Sequence, residues 1–146
     1  MTELTEAARV TAGIVALSVV AIESGGAFLL RVVTGKEQAT DFQKSFFRAG
    51  HAHAGVLVTL GLVCLVLGEA TTLTGFWRWL AQTGVLLAAI VMSAGFFFAA
   101  MGRGRTEPNR AVILLGVGAV LLAAGVVTLG VGLLLGWTCE SPWSSN

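Results

Sequence analysis

Four long apolar runs dominate the chain, at about residues 10–33, 46–68, 79–101 and 110–136. Each is near the roughly 20 residues that a helix needs to cross a bilayer. Each is too long for a strand, and lipid tolerates only helices or closed barrels because backbone polar groups there must pair within the protein. The runs leave short loops and tails. Of 146 residues, 12% are charged, half of the ~25% usual in soluble domains. The expected fold is therefore all-α: a single integral-membrane, four-transmembrane-helix bundle over residues 1–146. The leader MTELTEAAR is acidic and Glu23 interrupts the first run, so that run reads as a span and not as a cleaved leader.

Basic residues set an expected orientation. Arg31, Lys36, Lys44, Arg48, Arg103, Arg105 and Arg110 fall at the loops after the first and third spans, while Arg9 and Arg78 fall on the other side. The excess belongs in the cytoplasm, which places both termini outside it, in a multi-pass protein of the inner (plasma) membrane. Trp77, Trp79, Trp137 and Trp143 all map to the outer side, where indoles anchor among headgroups. Net charge is +1 and no basic stripe exists beyond the span flanks, which argues against nucleic-acid binding. Cys64 lies inside the second span and Cys139 in the tail, so no disulfide framework is expected.

Glycines mark the expected contacts between helices. Gly118, Gly125 and Gly132 recur every seventh residue, and Gly50, Gly61 and Gly68 share a helix face at about 100° per residue. Helices in lipid are held by close backbone packing at small residues, so both stripes read as seams, within one chain or between copies. Pro108 suits the first turn of the fourth span.

Few polar residues lie inside the runs. Glu23, mid-way through the first, costs on the order of 3 kcal/mol in lipid. It should face the bundle, be paired or be protonated. Gln82, near the outer end of the third, reads as structural. His51 and His53 are the chain's two histidines and enter the second span about 6–9 Å deep. Two residues apart on a helix means about 200° apart, so the pair does not form a chelate from one straight helix. His53 lies about 60° from the Gly50/Gly61/Gly68 seam and His51 about 100° away on the other side. Either can be an interfacial polar residue or a single ligand to a metal or haem. Zinc would need three or four ligands.

The segment R-A-G-H-A-H-A-G-V-L-V-T (48–59) resembles the second span of the membrane-bound styrene oxide isomerases and, more distantly, of the hydroxylaminobenzene mutases. A second similarity lies in GFFFAAMGRGRTEPNR (95–110), at Gly95-Phe96-Phe97 and Pro108-Asn109-Arg110. The resemblance covers about half of the chain in order. It implies a homotrimer with ferric haem b between subunits, ligated by the second-span histidine. The iron acts as a Lewis acid on a small apolar epoxide, which opens with a hydride shift to an aldehyde without net redox change.

By the same resemblance His53, with Gly55 two residues on, is the metal ligand, and His51 is the alternative. Thr59 stands at the family's pocket asparagine and Phe97 at its pocket tyrosine, the two catalytic-pocket positions. Both depart from the pattern: Phe97 has no hydroxyl, and the chain contains no Tyr. Arg48 and Arg110, with Arg103 and Arg105, are candidate partners for haem propionates, since guanidinium matches carboxylate. Phe96, Phe97, Phe98 and Met92 would wall the substrate pocket. Three other readings stay open: a haem protein without isomerase activity (sensor, redox or carrier), a haem-free accessory subunit, and a proton path through Glu23.

Overall fold

The computed structural model describes residues 4–137, with the side chain of Trp137 left out. Cys139 and Trp143 lie outside the described residues. Four helices make up the fold: α1 (Glu6–Val33), α2 (Asp41–Gly68), α3 (Gly75–Ala99) and α4 (Ile113–Trp137), the last preceded by a 3-10 turn, Arg110–Val112. All four are long and apolar enough to cross a membrane.

Helices α1 to α3 begin four or five residues before the apolar runs do, and polar caps account for this in α1 and α2. Thr5 caps α1, its hydroxyl accepting from the Ala8 amide at 3.3 Å. Thr40 and Gln43 form a capping box at the start of α2, each side chain accepting from the other's backbone amide at 3.2 Å. α3 ends at Ala99, two residues before its apolar run stops.

α3 is the axis of the bundle. It packs against α2 on one side and α4 on the other, while α1 rests on α2. Both glycine stripes turn out to be seams within the chain. A methyl group added at Gly61 would strike Leu86, and one at Gly68 would strike the Gln82 stem; one at Gly118 would strike Met92. The closest approach is backbone on backbone: a Cβ on Gly84 would lie 3.0 Å from the Gly125 Cα. Cys64, Ala81, Val85 and Leu129 form the core at this crossing. Cys64 is buried there with its thiol free.

Each end of the bundle is tied by one polar residue. At the end carrying the loops after α1 and α3, the buried Gln43 amide donates to the carbonyls of Ala100 at 2.9 Å and Gly102 at 2.6 Å. Beside it the Thr40 hydroxyl donates to the Arg105 carbonyl. These bonds place the two loops at one end, as the alternation of spans requires.

At the opposite end Glu69, just past α2, is a hub. Its carboxylate accepts from the Arg78 guanidinium at 2.9 Å and the Gln82 amide at 2.5 Å. It also accepts from the Thr5 amide and hydroxyl at 3.2 Å. Burial pushes the Glu69 carboxyl up, but the bonds from Arg78, Thr5 and Gln82 outweigh it and hold the group below the usual range. Three helices thus meet at one side chain. Gln82 has the structural role expected of it.

Glu23 does not face the bundle. It is exposed and makes no hydrogen bond or ion pair among the described residues. The reason lies in α1: Ser18, Ile22 and Gly25 line its inner face, and Glu23 follows Ile22 by about 100° of rotation.

Candidate functional site

The two histidines stand on opposite sides of α2. His53 lies on the α3 side. Its ring packs against Phe96 at 4.8 Å between centroids, and Phe96 in turn meets Phe46 at 5.6 Å. His53 Nδ1 lies 2.8 Å from the Ala49 carbonyl one turn earlier. A carbonyl only accepts, so Nδ1 carries the proton, and in the neutral ring the lone pair is on Nε2. This is how ligating histidines are oriented: the second nitrogen is held by a carbonyl or carboxylate. The ring is half-buried.

His51 lies under α1. A Cβ on Gly25 would come 3.5 Å from its Nδ1, and one on Gly26 would come 3.3 Å from Nε2. The glycine pair is therefore the gap that admits the ring between two helices. His51 makes no hydrogen bond among the described residues. It lines a groove of about 330 Å³ between α1, α2 and α3. It also borders a shallower, open hollow along the outer face of α2 that includes Gly55 and Thr59.

The carried-over positions are divided by this geometry. Phe97 belongs to the His51 groove, and its ring stacks on Phe47 at 5.6 Å. Phe47 meets Phe28 of α1 edge-on at the same distance. The three rings stand between the groove and the loop end. Thr59 is exposed on the open hollow and gives its hydroxyl proton to the Gly55 carbonyl at 2.9 Å. Neither position offers a free donor. Of the expected pocket walls only Phe97 borders this groove, for reasons of rotation along α3. Met92 turns to Gly118 of α4, Phe96 to His53, and Phe98 is exposed.

Arg48 and Arg110 are exposed at the loop end, and their side chains make no bond among the described residues. Arg105 is engaged, donating to the Met101 carbonyl at 2.8 Å. Asn109 serves the chain itself: its side chain caps the 3-10 turn through the Ala111 amide at 2.8 Å and donates to the Phe98 carbonyl at 2.8 Å.

One groove residue escaped the sequence reading. Ser93 lies one turn before Phe97 on the same face of α3, and its hydroxyl is buried without a hydrogen-bond partner. The signal was a lone hydroxyl in VMSAGFFF, four residues from Phe97. No family model, curated protein or solved structure matches the chain.

Proposed function

We propose that the chain is a haem-b-binding integral membrane protein of the styrene oxide isomerase type, with His53 as axial ligand. The observation that carries this is the His53 Nδ1 to Ala49 carbonyl bond of 2.8 Å. It pre-orients the ring and leaves the lone pair on Nε2. A single axial histidine suffices for haem, whereas the absence of a three-residue metal cluster among the described residues bears on zinc-like sites. Arg48 and Arg110, exposed and without partners at the same end as His53, are suited to the propionates.

Bound haem would supply a ferric Lewis acid for opening a small apolar epoxide to a carbonyl compound. The chain's part is to fix the ligand tautomer, exclude water with the Phe46 and Phe96 rings, and accept an apolar substrate. A homotrimer is part of the proposal. The number three comes from the resemblance; association with a second copy is supported by the outward Glu23 of α1, a carboxylate that a partner would cover. So is a plasma-membrane location with both termini outside the cytoplasm, supported by the seven-to-two division of basic residues.

A second reading, haem binding without isomerase activity, is favoured by two observations: Phe97 has no hydroxyl, and the Thr59 proton is committed to Gly55. The visible spectrum of the detergent-purified protein tests both. A Soret band is expected. A colourless protein, expressed with haem supplied, would refute both readings. Adding styrene oxide to the haem-loaded protein, and to Phe97→Tyr, then separates them. Phenylacetaldehyde from either supports the isomerase; none from both leaves the sensor, redox or carrier reading.

A further inference from the structure

The two loops at the Gln43 end of the bundle enclose a polar cavity of about 520 Å³. The α1–α2 loop lines it through Lys36, Glu37 and Gln38, and the α3–α4 loop through Arg103 and Gly104. Tight turns present both cations. Lys36 follows Gly35 (φ +76°), and its amide donates back to the Arg31 carbonyl at 2.9 Å. Arg103 stands between Gly102 (φ +122°) and Gly104 (φ +65°), backbone conformations that side chains resist. The bonds from Gln43 and Thr40 to the carbonyls of Ala100, Gly102 and Arg105 tie one loop to the other. The walls therefore keep their spacing without an occupant.

Charge in this cavity is unbalanced. The side chains of Lys36, Arg103 and Gln38 make no hydrogen bond or ion pair among the described residues. The acid that lines it, Glu37, is already paired with Arg31 at 2.6 Å. Asp41 pairs with Lys44 at 3.2 Å and, like Glu107, is not part of the lining. Anchoring among headgroups accounts for basic residues at a loop end. It does not call for two of them on facing loops of one cavity.

A second cavity of about 330 Å³ begins where the first ends, since Glu37, Gln38, Ala39 and Gln43 line both. Its farther walls are Phe28, Val32, Phe47, Phe97 and Met101. Gln43 does not make this space polar: its amide donates to two carbonyls and its oxygen accepts from the Thr40 amide. A cationic chamber thus adjoins an apolar one. A free anion would leave the apolar chamber empty, and a hydrocarbon would leave the cations unanswered. Both volumes fall within the roughly 300–1,000 Å³ of ligand cavities.

We propose that the two cavities together bind a single-chain anionic amphiphile of the membrane, its phosphate or carboxylate between Lys36 and Arg103 and its tail along Phe28 and Phe47. Guanidinium and ammonium donors make charge-assisted bonds to such heads. In the orientation proposed above, the head would sit at the cytoplasmic leaflet, where anionic lipids collect. The site contains neither histidine and needs no haem.

Native mass spectrometry of the full chain, released from a neutral detergent, counts bound molecules directly. With dodecyl phosphate as probe, one adduct per chain is expected; inorganic phosphate and dodecanol at the same concentration should bind far less. Lys36→Gln and Arg103→Gln should each weaken dodecyl phosphate binding about tenfold, the loss of one charge-assisted bond. Lys44→Gln removes the same charge at the same end and should change binding by less than about twofold. Both target side chains are exposed and unbonded, so helical circular dichroism should be unchanged in every variant. His53→Ala should bind as wild type does, so failure of the haem reading leaves the result intact.

The proposal is overturned if no adduct forms, or if His53→Ala abolishes it. Equal binding of dodecanol would reduce the site to an apolar cavity, and equal binding of inorganic phosphate would reduce it to an anion site. Equal weakening by Lys44→Gln would mean diffuse surface charge. Each of these outcomes also overturns it.

Discussion

The two faces of α2 handle the same demand, packing against a neighbour, in opposite ways. Toward α3 the contact is close. Gly50, Gly61 and Gly68 let Phe96, Leu86 and Gln82 press onto the helix backbone, and the imidazole on that side has its Nδ1 bonded and its ring tilted against Phe96. Toward α1 the contact is loose. Small residues there admit a ring but leave a groove, and the imidazole along it makes no hydrogen bond among the described residues. The difference teaches that glycine alone does not define a seam. The neighbour's side chain decides whether the space is filled.

The sharpest break in the comparison comes from exchanging the histidines. His53→Ala should remove the Soret band, and His51→Ala should leave it in place; the reverse pattern would move the ligand to the groove side. Next in size are matched substitutions on the two faces. Gly61→Leu must overcome the Leu86 contact and should cost about 1–3 kcal/mol or more. Ala54→Leu, which points to the groove, should cost less than about 1 kcal/mol. Denaturant midpoints followed by helical circular dichroism would rank them, and equal losses would show the groove face to be as full as the other.

Glu69 sharpens the comparison at the end where α1 meets the close-packed pair. Breaking its bonds with Glu69→Ala should cost about 1–3 kcal/mol, allowing for the partial exposure of Arg78. The pH dependence has a definite sign. Because the native carboxyl is held below the ordinary glutamate value of about 4.3, its contribution is complete above that value. It disappears as pH falls through the lowered native one. Wild type should therefore lose stability below about pH 4 more steeply than Glu69→Gln does. The smallest effect is expected at Gly26→Ala. The added methyl meets the His51 ring at 3.3–3.4 Å, so the ring must shift by a few tenths of an ångström. The denaturant midpoint should change by less than about 1 kcal/mol in stability, with the Soret band unchanged.

Much of the fold was legible from the runs of apolar residues, since their length and number allow few alternatives. The glycine stripes also pointed to the α2–α3 and α3–α4 seams, because a periodic lack of side chains has few other uses. The separation of His51 from His53 followed from helix rotation alone. What was not legible depends on neighbours distant in sequence. Glu69 looks like a loop acid until Thr5, Arg78 and Gln82 converge on it. Gln43 looks like one more amide at a helix start until the carbonyls of Ala100 and Gly102 arrive. Glu23 was expected to face the bundle, be paired or be protonated; the first two do not hold among the described residues, because its direction is set by which stripe of α1 has the small residues. Ser93 could be seen in the sequence, yet its lack of a partner is a property of rotamer and packing.

The aromatic row Phe28–Phe47–Phe97 has a further consequence for traffic. It stands between the groove and a second cavity of about 330 Å³ that runs toward the loops, so the open side of the groove between α1 and α3 is the direct way in for a molecule bound beside Ile22 and Ile90. In a protein embedded as proposed, that side faces hydrocarbon. A visitor would first dissolve in the membrane and then bind, and its effective concentration would be that of the oil phase. Across a homologous series, potency measured from water should therefore rise with the oil–water partition coefficient, even where the contacts inside the groove stay the same.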